Sequence, residues 1–576
     1  MVPKLCGGDT ELGNAVLGME NQDDSCFLAS RMLLDEVDGV AGRKQAARAR
    51  PDGMERSGWW SLLPVRRAGN DRPGIDGAGV PAAGPGDGDR AGRTGAADCN
   101  PQDWGRKYLP ANGGCIYVDL DHLELCLPEV LSAHDHVAAW HALLRLARKA
   151  LARANARLPR GQKIQVLVNN SDGCGHSYGG HLNFLISRPA WERLFHRKLH
   201  QMLFLASYQA SSIIFTGQGK VGSENGTPAV PYQLSQRADF FETLTGTQTT
   251  WNRPLVNSRN EPLCGPVGGA RPGQDSISDS LARLHVIFYD SNLSETASLL
   301  KVGVMQIILA MIEAEWVDHA LVLDDPVTAV IQWSHDPSLQ AAARTMPGRR
   351  LTALELQFLF LKEAGRFVRR AMNTTLVPGC RAILKLWEET LVQIEAGDPL
   401  VLARRLDWAL KRLVLQRALD RRPDLRWESP SIKHLDHLYG SLEEGEGIFW
   451  AYQRAGFVES QVSPARIRAY MTDPPPDTRA WTRAHLLRLA GADRVEEVNW
   501  DFIRFRCARN GSAGRSRTLY LDNPLGSTRA ENRDILAESR SLDDVLDALG
   551  ACETPRPTSD TNVFHAWGDS NGYRIS

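Results

Sequence analysis

Apolar and polar residues alternate over CIYVDLDHLEL (115 to 125), which predicts a strand, and IQVLVNN (164 to 170) and HLNFLIS (181 to 187) read as two more. The loop between that pair, SDGCGHSYGG, carries glycines that permit tight turns. Val137 to Arg157 has apolar residues at helical spacing, and so does the interval from 351 to 420, with few Gly or Pro and runs such as LARRLDWALKRLVLQRAL. These helices predict a layer covering a sheet. RLHVIFYDSNLSETASLLKVG (283 to 303) reads as a strand ending in a polar cluster that opens a long helix, with Asn292 and Ser294 as cap candidates.

The most apolar stretch, Val302 to Met311, is interrupted at Gln306 and is far shorter than the roughly 18 residues of a membrane span. It predicts a buried helix. From Arg72 to Asp98 the chain holds eight Gly and three Pro among 27 residues, with almost nothing to bury, which predicts a mobile linker. DPPPDTRA (473 to 480) punctuates the chain, and AWTRAHLLRLAG followed by VNWDFIRFR predicts a helix and a strand in a small C-terminal domain. The expected organisation is a catalytic domain over 1–470 with a flexible insertion at 36–107, a small domain over 471–553 and a disordered tail over 554–576.

Composition narrows the partners. At 576 residues the chain exceeds what one core usually supports, and 43% hydrophobic with 23% charged residues is ordinary for a globular protein. A formal charge of -1 supplies no global field toward nucleic acid or an anionic membrane, so neither partner is expected. Ten scattered cysteines without a CxxC pair, behind a start lacking a charged leader and apolar run, point to reduced thiols in the cytoplasm.

Acidic residues gather at Asp9 and Glu11 in GGDTELG, at Asp119 and Asp121 in YVDLDHLE, and at Glu124 and Glu129. Strand alternation places Asp9 with Glu11, and Asp119 with Asp121, on shared faces if both segments are extended. Carboxylates crowded on one face repel unless a cation neutralises them, and hard oxygen ligands suit Mg2+. Exposed strand carboxylates in solvent would read the same way. His181 and Asn183 share a strand face, and Arg237 and Arg259 offer the forked donors that phosphate favours. GQGKVG (217 to 222) lacks the full phosphate-loop pattern, and no GxSxG, HExxH or marked nucleophilic Cys occurs.

Taken in order, GGDTELG, NGGCIYVDLDHLE, VNNSDGCGHSYGGHLNFLISR, YQLSQRADFFE, VNSRNEP, RLHVIFYDSNLSETASLLKVG, DWALKRL, LDHLYGSLEEGEGIF, DPPPDTRA and VNWDFIRF resemble the family of Pup ligases and Pup deamidases. The resemblance implies an α+β, glutamine-synthetase-like carboxylate-amine ligase fold, a curved and mostly antiparallel sheet backed by helices with a small C-terminal domain. It implies ATP, or ADP with phosphate, and Mg2+ in the cradle of that sheet. Asp119 would be the catalytic aspartate. Asp9, Glu11, Tyr117, Glu124 and His181 would stand at metal positions, and Cys126, Asn183, Arg237, Arg259 and Trp500 at nucleotide positions.

Implied partners are Pup, its conjugates and the bacterial proteasome pathway. The long segment between GGDTELG and YVDLDHLE, and the Asp119 to Glu124 spacing, resemble the deamidase rather than the ligase. That member deamidates the C-terminal Gln of Pup and cleaves Pup from substrate lysines; the alternatives are a Pup ligase and a non-catalytic Pup-binding homologue. Cys115, Leu182 and Leu263 stand where the family has Arg, Glu and His, and Asp9 where it has Glu.

Overall fold

The computed structural model describes residues 1–18, 25–41, 105–265, 277–506 and 515–555. The expected linker at 72–98, most of the expected 36–107 insertion and the tail from 556 onward lie outside the described residues. At the ends of the insertion, Val40–Ala41 and Lys107–Tyr108 pair with each other and join the main sheet.

That sheet is built from β1 (Cys6–Leu17), β2 (Val40–Ala41), β3 (Lys107–Tyr108), β4 (Cys115–Asp119), β5 (His122–Cys126), β6 (Lys163–Leu167), β7 (Gly180–Ser187) and the strand Leu281–Val286. Its order is Leu281–Val286, β7, β1, β5, β4, β3, β2, with β6 beside the C-terminal half of β1. All of these pairings are antiparallel. A separate pair, Phe241–Gly246 with Arg253–Asn257, is parallel.

CIYVDLDHLEL is two strands rather than one. Asp119 pairs with His122, leaving a two-residue turn at Leu120 and Asp121. Leu120 takes the left-handed backbone at φ 49°, so the chain reverses there and Asp121 sits in the turn, off the strand face that carries Asp119. The alternating pattern continues through the turn because each arm keeps a period of two on its own.

Alternation sorts the sheet into two faces. Leu12, Ile116, Val118, Leu123, Leu125, Leu182, Phe184, Leu284 and Val286 enter one hydrophobic core. The helices Ala133–Asn155 and Glu295–Glu313 pack against that side. Each large aliphatic chain buried there contributes roughly 1.5–3 kcal/mol. The Glu295–Glu313 helix is entirely buried, and its one interior amide, Gln306, donates to the carbonyls of Lys4 and Leu131 at 2.5 and 3.0 Å. It is long and apolar enough to cross a membrane, yet it forms the centre of this core. Ser294 caps it by accepting from the Ala297 amide, as its sequence position predicts. Asp407 of DWALKRL receives the Leu293 and Ser294 amides just before the helix and the Tyr439 hydroxyl, so the motif anchors a helix start.

The expected helices are present as Ala353–Arg370, Cys380–Ala396 and Asp407–Arg421, but the first packs on the helix Leu199–Thr216 and the second on Glu295–Glu313, so they back other helices rather than covering the sheet directly. Beyond DPPPDTRA come the helix Ala480–Arg494 and an antiparallel sheet of Val495–Val498, Phe502–Arg506, Arg515–Tyr520 and Cys552–Pro555. Leu486, Leu487, Ile503, Phe505 and Leu546 form a second core that also takes in Tyr108, Cys115, Tyr117 and Cys126 from the main sheet.

Candidate active site

The face of the sheet opposite the main core is polar, and register assigns its members. Asp9 lies between Cys126 on β5 and His181 on β7, and Glu11 lies opposite Glu124. Glu124 pairs in turn with Tyr117, Cys126 with Cys115, and Asn183 with His285. Asp119, Tyr117, Glu124, Cys126, Asp9, Glu11, His181 and Asn183 are therefore brought onto one surface by strand alternation alone.

Asp9 has both oxygens engaged. The Nδ1 atom of His181 is 3.0 Å from Oδ2, and the Asn183 amide donates to Oδ1 at 2.6 Å. Burial raises its pKa, but the His181 hydrogen bond and the nearby His285 and Arg283 outweigh this and hold the carboxyl below its usual range. Arg283 and His285 both meet Asn183 Oδ1, at 2.7 and 2.9 Å, so the row Arg283, His285, Asn183, Asp9 and His181 is one network. Sequence reading missed Arg283 and His285. Their i, i+2 spacing in RLHV, inside an otherwise apolar strand, was the available signal.

Glu11, Asp119 and Glu124 behave differently. One oxygen from each lies within 4.8 Å of the other two. Glu124 is buried with Oε2 lacking a hydrogen-bond partner among the described residues. Burial first, then the charges of Asp9, Asp119 and Glu11, push its carboxyl well above the usual range. Three converging hard oxygens with such mutual repulsion fit a divalent cation. Glu11 also accepts from the Gly179 amide at 2.7 Å, which fixes the SYGG loop beside the cluster.

The remaining expected residues surround this centre unequally. Arg237 is buried and donates to the Tyr178 carbonyl; burial, then Arg253, lowers it to about 10. Arg259 is partly exposed with Nε 3.8 Å from Glu261. Trp500 packs edge-on against Tyr108 at 5.6 Å between ring centres, beneath the Arg483 guanidinium at 4.8 Å. Leu182 points into the hydrophobic core, so a side chain at that position faces away from the carboxylates. Lys220 of GQGKVG is buried against Glu224 and Asp239 at 2.6 and 3.2 Å, a structural role consistent with the missing phosphate-loop pattern.

The profile of the family described as Pup-ligase protein matches residues 71–504. The chain belongs to that family. It is 36% identical over 438 residues to the depupylase of Acidothermus cellulolyticus, covering 76% of this chain and 82% of that one. Identity is 34% over 395 residues to the Pup deamidase/depupylase of Mycolicibacterium smegmatis, covering 68% and 74%. It is also 34% over 410 residues to the Pup–protein ligase of Pseudarthrobacter chlorophenolicus, covering 69% and 83%.

Among solved structures, the complex of Pup with its ligase PafA superposes with a TM-score of 0.67 at 20% identity, covering 95% of this chain and 92% of that one. PafA in complex with ADP gives 0.62 at 24%, covering 77% and 90%. These likenesses establish the fold, an α+β ligase fold of mixed helices and antiparallel sheet, as expected from the sequence.

Proposed function

We propose that this family member is an ATP-dependent Pup deamidase and depupylase, acting on the C-terminal Gln of Pup and on the isopeptide bond between Pup and a substrate lysine. The observation that carries the reading is Asp119, at the turn end of β4 beside Glu11 and Glu124, in a chain whose depupylase relative is 36% identical. Both reactions attack the same side-chain carbonyl carbon and differ only in the leaving group, ammonia or a lysine amine.

Asp119 is assigned the attacking role, as nucleophile or as the base that takes a proton from water. Water completes either reaction, leaving a Glu carboxylate on Pup. Glu11 and Glu124, with Asp119, are the side chains that would hold Mg2+; when bound, the ion supplies positive charge next to the oxygen that becomes negative. Asp9, held by His181 and Asn183, serves to fix β1 and β7 in register at the site. Trp500 and Arg259 are assigned to the nucleotide, and Pup, its conjugates and the bacterial proteasome pathway are the proposed partners.

The test replaces Asp119 with Asn and assays Gln-ended Pup for deamidation and a conjugate for release of Pup. Loss of both activities, with a melting temperature in chelator no lower than the parent's, is the expected outcome; undiminished activity in both would remove the assignment. The relative named Pup–protein ligase favours a second reading, in which Asp119 deprotonates an incoming lysine. Incubation with Glu-ended Pup, ATP and a lysine-bearing target separates the two, because conjugates formed with stoichiometric ADP require a ligase.

A further inference from the structure

One guanidinium on the polar face is held by an aromatic ring. Arg106 immediately precedes β3, and extending the β3–β4 register, in which Lys107 meets Ile116 and Tyr108 meets Cys115, brings it opposite Tyr117. Its guanidinium carbon lies 4.2 Å from the centre of the Tyr117 ring. The ionisable groups that act on it most strongly are Tyr108, Cys115, Tyr117 and Cys126. Its Nε is buried with no hydrogen-bond partner among the described residues.

Arg479 and Arg483 share the buried Glu129, whereas the buried Arg237 donates to the Tyr178 carbonyl. A guanidinium whose Nε is buried without a partner beside a polar face keeps a donor for an anion brought to that face. Stacking on Tyr117 presents the planar fork of donors in a fixed direction, the arrangement that matches phosphate oxygens. Tyr117 is paired with Glu124, a member of the carboxylate trio, so sites for a cation and for an anion are adjacent across a single strand pair.

We propose that Arg106 binds a phosphate group of a nucleoside polyphosphate whose remaining charge is met by a divalent cation at Glu11, Asp119 and Glu124. The assignment rests on the nucleotide-dependent function proposed above and adds to it a residue that sequence reading placed inside a flexible insertion. A polyphosphate anion carrying a divalent cation is complementary to both halves of this face, whereas an uncharged ligand satisfies neither.

The test measures binding rather than turnover, by titration calorimetry of the full chain with Mg2+ present, using ATP and adenosine as separate probes. Arg106→Gln is expected to weaken ATP by about ten-fold or more while adenosine binds as in the unaltered protein, because hydrogen bonds to charged groups are the strong ones. Arg106→Lys, which keeps the charge but loses the fork, is expected to fall between them. Equal ATP affinity in Arg106→Gln overturns the proposal. So does parallel weakening of ATP and adenosine, the signature of a purely structural clamp on Tyr117. Unaltered protein that binds no ATP overturns the nucleotide reading itself and this assignment with it. If Arg106→Gln does not fold, Arg106→Lys decides the matter by the same comparison: selective loss of ATP affinity supports the proposal, and parity with the unaltered protein overturns it.

Discussion

Glu129 and Arg483 form a buried ion pair, with Nη2 2.5 Å from Oε2, across 354 residues of chain. Arg479 completes the group from the other side, Nε to Oε1 at 2.8 Å. Arg483 also donates to the carbonyls of Gly113, ahead of β4, and Trp500. One carboxylate thus ties the end of DPPPDTRA and the helix that follows it to the approach to β4, the strand that carries Tyr117 and Asp119, and sets where Trp500 stands.

Glu129→Ala leaves two buried guanidinium groups unpaired and should lower stability by about 3–5 kcal/mol. Burial raises the Glu129 pKa, but Arg483 and Arg479 outweigh it and bring it down to about 2 from an ordinary value of 4.5. A carboxyl depressed by folding stabilises fully above its unfolded pKa and loses that contribution as pH falls through its folded one. Urea unfolding of the parent and the variant should therefore differ most at pH values above 4.5 and converge toward about 2. A gap that stayed constant over that window would contradict the linkage.

The Leu120 backbone at φ 49° is a cost the chain carries to close the β4–β5 hairpin with only two residues, and its side chain is 58% exposed and does not recover it. Leu120→Asn, which tolerates that conformation better, should raise stability by about 0.5–1 kcal/mol. Denaturant midpoints measured side by side check it, and a destabilised Asn variant would mean that Leu120 has a role beyond the turn.

Gly180 begins β7 one residue before His181. A Cβ there would lie 2.6 Å from Ser291 Oγ, 3.0 Å from the Tyr289 carbonyl oxygen and 3.3 Å from Asn170 Nδ2. Gly180→Ala should cost about 1–3 kcal/mol, because the backbone carbonyl cannot move aside cheaply. It should also reduce Pup deamidation by displacing His181 from Asp9. Full activity with parental stability would show that the loop yields freely.

The sequence made the site legible wherever alternation ran uninterrupted. GGDTELG is one strand, so Asp9 and Glu11 share a face, and HLNFLIS correctly pairs His181 with Asn183. Asp121 was misplaced because a two-residue reversal preserves the alternating pattern while exchanging strands, and composition alone does not reveal a Leu in a left-handed turn. Leu182 stands where the resemblance led one to expect a carboxylate, but period two directs it into the core. Arg106 escaped notice because its partner is an aromatic ring reached through strand pairing, a relationship with no local signature.

Glu124 decides whether the carboxylate trio exists for a cation. Burial and the charges of Asp9, Asp119 and Glu11 all oppose its ionisation, so in protein without a cation it is a source of instability above its unfolded pKa. Glu124→Gln removes that repulsion while keeping the shape, and the metal-free protein should gain about 1 kcal/mol. The same change removes a hard anionic ligand from between Glu11 and Asp119, so the rise in melting temperature on adding about 10 mM Mg2+ should be lost. Differential scanning fluorimetry with and without Mg2+ reads both effects at once. A cation site predicts that the order of stability inverts, with the variant ahead in chelator and the parent ahead in Mg2+; if the two differ by the same amount in both buffers, the trio is a structural cluster and Mg2+ binds elsewhere.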